Sequence, residues 1–160
     1  MKKNIALIVA IIMLSLAFTG CGSNSDSKDV KVIDIQLTQE EYAFGVDKDQ
    51  ADLLTQVNDY IAQIKKDGTF DKISDHYFGN GTPVGVTSAK LDSSKDQLVV
   101  ATNAAFEPFE YTKGDKYYGI DMEIAAGLAK KLGKELVIQN MDFDSVCLSV
   151  SQHKCDIAMA

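Results

Sequence analysis

Residues 97–102 read Gln97-Leu98-Val99-Val100-Ala101-Thr102, and residues 119–139 read Gly119-Ile120-Asp121-Met122-Glu123-Ile124-Ala125-Ala126-Gly127-Leu128-Ala129-Lys130-Lys131-Leu132-Gly133-Lys134-Glu135-Leu136-Val137-Ile138-Gln139. The first stretch is a short apolar run of strand length. In the second, Ile124, Leu128 and Leu132 recur at helical spacing, which predicts a helix from Asp121 to Leu132 closed by Gly133, with a strand over Glu135 to Gln139 behind it. Further on, Phe143, Val146, Cys147 and Val150 share one face of a short helix, and Asp156 to Met159 is again apolar and short. Strand, helix, strand, helix, strand at these spacings predicts a parallel sheet with right-handed crossovers, hence an α/β fold. A loop containing Pro108 joins the first strand to the first helix. No internal repeat is visible.

Outward from this block, the chain carries a second one upstream. Val30 to Leu37 and Tyr42 to Val46 read as strands, and Asp49 opens a helix whose apolar face is Leu54, Val57, Ile61 and Ile64. Gly68 stops that helix. Thr69 is the expected N-cap of the next, which carries Phe70, Ile73 and Tyr77 on one side and ends at Gly79. Residues 80–96, rich in Gly, Ser, Thr, Lys and Asp and without periodicity, read as a linker. A flexible segment of that length reaches roughly 20 to 25 Å on average.

At the start, Lys2 and Lys3 precede an apolar run from Ile5 to Phe18, too short to span a bilayer comfortably but the size of a secretory signal's apolar region. Residues 1–20 are therefore expected to address the chain and not to fold with it. The run ends in Ala17-Phe18-Thr19-Gly20-Cys21, which looks like a lipobox, with Phe18 where that pattern usually has Leu. The resemblance implies that Cys21 is lipidated, becomes the mature N-terminus and anchors the chain to the extracytoplasmic face of the membrane. The bland alternative is an ordinary thiol after a cleaved leader. Residues 21–29, Ser-, Asn- and Asp-rich, form the expected tether.

Composition narrows the partners. The formal net charge of -7 becomes -9 once Lys2 and Lys3 are removed, so the mature part is acidic and nucleic acid is not an expected partner. Roughly 140 residues remain, enough for one compact domain. All 16 basic residues are Lys. Cys147 and Cys155 read as small core residues; a disulfide between them is the alternative, since the compartment would be oxidising. The two histidines are far apart and belong to no ligand pattern, so no metal or cofactor is expected.

Residues 97–160 resemble the amino-terminal lobe of family 3 bacterial extracellular solute-binding proteins. The matching residues are Val99-Val100-Ala101-Thr102, Phe106-Glu107-Pro108-Phe109-Glu110-Tyr111, Gly119-Ile120-Asp121-Met122-Glu123-Ile124 with Leu128, Ala129 and Leu132, then Met141-Asp142-Phe143 and Asp156-Ile157-Ala158-Met159-Ala160. Residues 30–79 resemble the same family's carboxyl end, through Thr38-Gln39-Glu40-Glu41-Tyr42-Ala43, Asn58, Lys66-Asp67-Gly68-Thr69-Phe70, Lys72-Ile73 and Tyr77-Phe78-Gly79. The order is inverted, tail before head, with the second lobe missing between them. The resemblance implies a periplasmic-binding-protein-like type II fold, here a single lobe with a mostly parallel sheet flanked by helices. A rearranged tandem gene and a permuted lobe that folds as one are both open as origins.

The family's function enters by the same route. It implies a substrate-binding lipoprotein of an ABC importer for polar amino acids, working with a permease, with a ligand held between two lobes. By position in the motif, Asn103, Phe106, Phe143 and Ala160 are the implied ligand-binding residues: the two phenylalanines pack on the ligand side chain, Asn103 stands where Asp often meets its polar end, and Ala160 offers a backbone carbonyl. By residue type alone, both phenylalanines also fit a core, and Asn103 a turn. The Phe106-x-Pro108-Phe109-Glu110 and Met141-Asp142-Phe143 details look closest to glutamine-type binders. His153 and Leu148 stand where the family usually has Gly and Pro. The Arg that family members use to grip the ligand carboxylate with two prongs would fall after Ala160, and no Arg occurs in this chain to replace it. The chain alone is therefore expected to bind weakly. Against transport stand a sensor or interaction lobe, a non-binding remnant, and a dehydratase-like enzyme. For the last, Glu110 or Asp121 could be nominated for acid-base work, although Asp121 is expected to cap its helix.

Overall fold

A computed structural model describes residues 34–35 and 41–160. The chain divides into two units, Met1–Glu40 and Glu41–Ala160. Of the first, only Asp34 and Ile35 are described, and both are exposed and outside regular structure. The expected leader, Cys21, the tether and the remainder of the expected strand Val30 to Leu37 lie outside the described residues.

The second unit is built on strand β2 (Gln97–Thr102), which has the expected bounds. It pairs in parallel with β6 (Glu135–Asn140) along its whole length, from Gln97 opposite Glu135 to Thr102 opposite Asn140. On its other side it pairs in parallel with β7 (Ile157–Ala158), Val100 opposite Ile157. Strand β1 is shorter than the expected Tyr42 to Val46: only Gly45–Val46 pairs, antiparallel to β7, giving the order β1-β7-β2-β6. Four helices accompany the strands: α1 (Ala51–Lys66), α2 (Thr69–Phe78), α3 (Ile120–Leu132) and α4 (Phe143–Ser151). The α/β lobe with a mostly parallel sheet is formed as the resemblance implies.

Side chains alternate across a strand, so β2 feeds two cores. Leu98 and Val100 join Ile124, Leu128, Ile157 and Met159 with Val57, Tyr60, Ile64 and Ile73 of the upstream helices. Ala101 joins Val146, Val150, Cys155 and Ala158 on the opposite side. The upstream and downstream blocks thus share one core. Where α1 crosses α3 the fit leaves no room for a side chain: a Cβ on Gly127 would stand 1.9 Å from the Tyr60 hydroxyl. Polar contacts lock the same junction. The Glu123 carboxylate on α3 accepts from His76 Nδ1 at 2.9 Å, from the Tyr77 hydroxyl at 2.7 Å and from Val84 N at 3.1 Å, and the Tyr77 hydroxyl accepts from Gly119 N at 2.9 Å.

Several expectations need correction. On α1 the buried stripe is Val57, Tyr60 and Ile64 with Leu53 packed beside it, while Leu54 is 46 % exposed, because Leu53 is in register with Val57 and Leu54 lies about 100° further round. Asp49 does not open α1; Gln50 is its N-cap, and Asp49 N donates to the Asp47 carboxylate. Thr69 is the first residue of α2 and not its cap. Gly68, at φ 81, takes the cap position, and the Asp67 carboxylate accepts from Thr69 N at 3.0 Å. The loop around Pro108 is a three-stranded antiparallel meander, β3 (Ala105–Phe106), β4 (Glu110–Lys113) and β5 (Lys116–Tyr118), turned at Gly114 with φ 65. Residues 80–96 are irregular but strapped down, with Val86 buried against Met122 and Ile138 and bridged to Tyr117. Cys147 is exposed, not buried, since the inward face of α4 is Val146, Ser149 and Val150; both cysteines are free thiols. His153, where the family usually has Gly, holds the left-handed backbone that Gly would adopt, φ 56, at a cost of about 1 kcal/mol.

The Glu123 network makes the first prediction. Replacing Glu123 by Ala leaves the Tyr77 hydroxyl and Val84 N without their acceptor, so a loss of about 1–3 kcal/mol is expected in denaturant unfolding. Hydrogen exchange should locate the loosening in α2. Unchanged stability and unchanged protection over residues 69–78 would contradict the junction described above.

Candidate functional site

In a parallel sheet the loops that leave the carboxyl ends of the strands define a crevice, and ligands of open α/β sheets bind there. Asn103 directly follows β2, Phe143 opens α4 behind β6, and Ala160 follows β7. All three reach one cavity of about 420 Å³, lined also by Tyr42, Ala105, Phe106, Phe109, Glu110 and Asp121. The four residues singled out by motif position, Asn103, Phe106, Phe143 and Ala160, therefore converge, although they are spread over almost sixty positions of sequence.

The core alternative for the two phenylalanines fails. Phe106 is 55 % exposed and Phe143 66 % exposed, both on the cavity wall. Phe106 is held by its neighbour, stacking on Phe109 with ring centroids 5.7 Å apart. Phe109 is half-buried and central to a larger aromatic group: Tyr42 stacks on it at 4.7 Å and Phe78 meets it edge-on at 6.3 Å. Offset and edge-on pairs of this kind add roughly 0.5–1.5 kcal/mol each beyond their area. Asn103 is fixed by its side-chain amide, which donates to the Met141 carbonyl at 2.8 Å, and Ala104 N is tied to the Asn140 side chain at 2.9 Å. The loop after β2 is thus clamped to the loop after β6.

The two carboxylates nominated for acid-base work, Glu110 and Asp121, both line the cavity. Asp121 is not the cap of α3; Gly119 occupies that place with φ 125, where a Cβ would stand 2.0 Å from the Phe109 carbonyl oxygen. Asp121 is instead one of the residues that line the cavity. Burial pushes its carboxyl up to about 7. Glu110, 2 % exposed, lies at the start of β4, and its Oε2 has no hydrogen-bond partner among the described residues. Burial, with a smaller contribution from the Asp121 charge, pushes the Glu110 carboxyl up to about 8. Tyr42, Ala105 and Phe109 are cavity residues that motif reading missed. For Phe109 the signal was there, in its place within the Phe106 to Tyr111 motif, whereas Tyr42 comes from the other block and only the fold brings it over. Among the described residues no group of His, Cys, Asp and Glu is placed to hold a metal ion, and no helix is long and apolar enough to cross a membrane.

The sequence itself has recognisable relatives. The model of the bacterial extracellular solute-binding proteins, family 3, matches residues 2–80 and 98–160. The chain belongs to that family. It is 37% identical over 79 residues to the arginine-binding extracellular protein ArtP of Bacillus subtilis, a match covering 49% of this chain and 31% of that protein. It is 36% identical over 66 residues to the "Probable ABC transporter arginine-binding protein ArtJ" of Chlamydia trachomatis serovar D, covering 41% of this chain and 26% of that protein. Among solved structures, an ancestral cationic amino acid solute-binding protein is 32% identical over 40% of this chain and 28% of that one, with a TM-score of 0.39. Each match spans less than a third of the relative's length.

The two raised carboxyl groups give a pH prediction. Their folded values lie above those of an unfolded chain, so protons bound to them favour the native state. That stabilisation is complete below about pH 4 and is lost as pH rises through 7 to 8. The unfolding midpoint is expected to fall between about pH 5 and pH 8.5, and Glu110→Gln to flatten the fall, because a neutral amide carries no such linkage. An equally steep fall in Glu110→Gln and in Asp121→Asn would contradict the assignment.

Proposed function

We propose that this chain is a substrate-binding lipoprotein component of an ABC importer for polar amino acids, contributing one wall of the ligand cleft and binding weakly on its own. The observation that carries this reading is the meeting of Asn103, Phe106, Phe143 and Ala160 around one cavity at the carboxyl edge of the sheet. The aromatic faces suit the aliphatic or planar part of a side chain, and Asn103 suits its polar end. The motif details quoted above lean towards a glutamine-like ligand. The relatives' names lean towards arginine, and both share a planar, nitrogen-bearing end. Glu110 and Asp121 are read as binding groups and not as acid-base catalysts, since the family and the relatives named are solute binders. On this reading the upstream block is the family's closing segment carried ahead of the first lobe, supported by the single core that the two blocks share.

The described lobe offers a ligand carboxylate no Arg. No Arg occurs in it, and losing one partner of a buried Arg-carboxylate pair costs on the order of 3 to 5 kcal/mol, against about 8 kcal/mol for a micromolar ligand. Calorimetric titration with glutamine, arginine, histidine and lysine is expected to give dissociation constants weaker than about 10 μM, with Phe106→Ala and Phe143→Ala removing what signal remains. A constant tighter than that would sink the weak-binding claim. Complete silence of residues 103–109 in an NMR titration with millimolar amino acids would sink the site itself.

The anchor has its own check. Mass spectrometry of the membrane fraction is expected to find Cys21 diacylated at the mature N-terminus. A soluble product with a free Cys21 thiol would refute it.

A further inference from the structure

One hydroxyl of the upstream block reaches the frame of the cavity without entering it. Tyr77, near the end of α2, donates to Glu123 Oε1 at 2.7 Å and accepts from Gly119 N at 2.9 Å. A hydroxyl that donates to a carboxylate is polarised into a better acceptor, so the two bonds strengthen each other. Burial, helped by the hydrogen bond to Glu123, pushes the Tyr77 phenol far above its ordinary value, so it keeps its proton. At Gly119 the backbone has φ 125, and a Cβ would stand 2.0 Å from the Phe109 carbonyl oxygen, so only glycine fits and no side chain can hold the turn. The next two residues are tied to the cavity wall. Ile120 N donates to the Pro108 carbonyl at 3.1 Å and Asp121 N to the Phe109 carbonyl at 3.0 Å. Phe109 and Asp121 line the cavity.

We propose that Tyr77 is a positioning residue of the cavity: through Gly119 its hydroxyl sets the start of α3, and so the place of Asp121 and Phe109 in the lining, a role that rests on the ligand-site reading only where binding is measured. Three observations support positioning over plain packing. The ring packs against the shared core, which a phenylalanine ring would do as well, whereas the hydroxyl bonds to Glu123 and Gly119. The acceptor end does not drift, because His76 Nδ1 and Val84 N hold the same Glu123 carboxylate. The first N–H groups of a helix have no carbonyl of their own helix to meet and need outside acceptors. In α3, which has no capping side chain, Tyr77, Pro108 and Phe109 supply them in turn. The first of the three comes from the upstream block, so that block sets the cavity through a hydrogen bond as well as through ring contacts.

Tyr77→Phe in the full chain keeps the ring and removes the hydroxyl. By NMR, exchange of the Gly119 N–H is expected to accelerate about tenfold or more, because its acceptor is gone. The titration midpoint of the Asp121 carboxyl, about 7 in the native chain, is expected to fall by roughly one pH unit as the loosened helix start admits water. Phe70→Leu, at the other end of α2, trims the packing without touching the hydroxyl and should leave both readouts at their native values. Amides of α1 that stay in place show that the variants fold. Native exchange at Gly119 with a native Asp121 midpoint in Tyr77→Phe overturns the proposal, as does an equal fall of the midpoint in Phe70→Leu, which would reduce Tyr77 to packing. If Tyr77→Phe does not fold, Glu123→Gln carries the test: it keeps the hydroxyl but removes the charge that polarises it, and unchanged exchange at Gly119 there overturns the proposal. Millimolar arginine and glutamine separate this role from the amino acid reading. Arginine is expected to bind Tyr77→Phe about threefold or more weaker than the native chain. If it shifts residues 103–121 equally in both while exchange and midpoint stay native, this inference fails and the amino acid reading stands. If exchange and midpoint move but neither amino acid shifts any residue of either chain, this inference stands and the amino acid reading fails.

Discussion

Strand β2 cannot be left with a wet face. Leu98 and Val100 point to one side and Ala101 to the other, all at 1 % exposure or less, and a strand of that kind needs cover on both sides. Helix α4 covers the Ala101 side. Helix α3 cannot cover the other side alone, and α1 and α2 complete it with Val57, Tyr60, Ile64 and Ile73. The fold therefore depends on the docking of a segment that comes earlier in the chain. Chain order does not matter to this contact: a core registers which side chains meet, and the connection has only to reach. Residues 80–96 reach by lying across the lobe, where Ala89 N donates to the Leu136 carbonyl and Ser88 Oγ accepts from Ile138 N.

Elements with strong periodicity and clear stops were legible in the sequence. β2 has its expected bounds, α3 and β6 are each within a residue of theirs, and Gly133 closes α3 in the left-handed conformation, φ 71. Less legible was anything decided by a partner. The meander of β3, β4 and β5 has strands of two to four residues, too short to show alternation, and exists because it pairs with itself and with Val86. Leu53 and Leu54 are indistinguishable by composition, and only the direction from which α3 and β2 approach decides between them. Cys147 and Val146 differ in the same way. At the site, motif position picked four cavity residues from the downstream block, but helix-start position misassigned Asp121. A carboxylate in a first turn usually caps or faces the dipole, and here Gly119 and the Phe109 carbonyl take that geometry over.

The aromatic wall shows how docking and binding are joined. Tyr42 belongs to the upstream block and its ring lies on Phe109 at 4.7 Å, while Phe78, at the end of α2, meets the same ring edge-on. Phe109 in turn supports Phe106, and its carbonyl accepts from Asp121 N at 3.0 Å, which sets the start of α3 beside the cavity. Were the upstream block, β1 with α1 and α2, to undock, Phe109 would lose two of its three ring partners among the described residues and the cavity would lose the Tyr42 side of its lining. Since a ligand that binds only the docked state stabilises it by mass action, occupation of the cavity and closure of the shared core must reinforce one another. The buried acids work the other way, because their charge is costly where burial strips it of water. The packing that builds the cavity is thus the same packing that raises the proton affinity of Glu110 and Asp121, so wall and acids are set by one docking event.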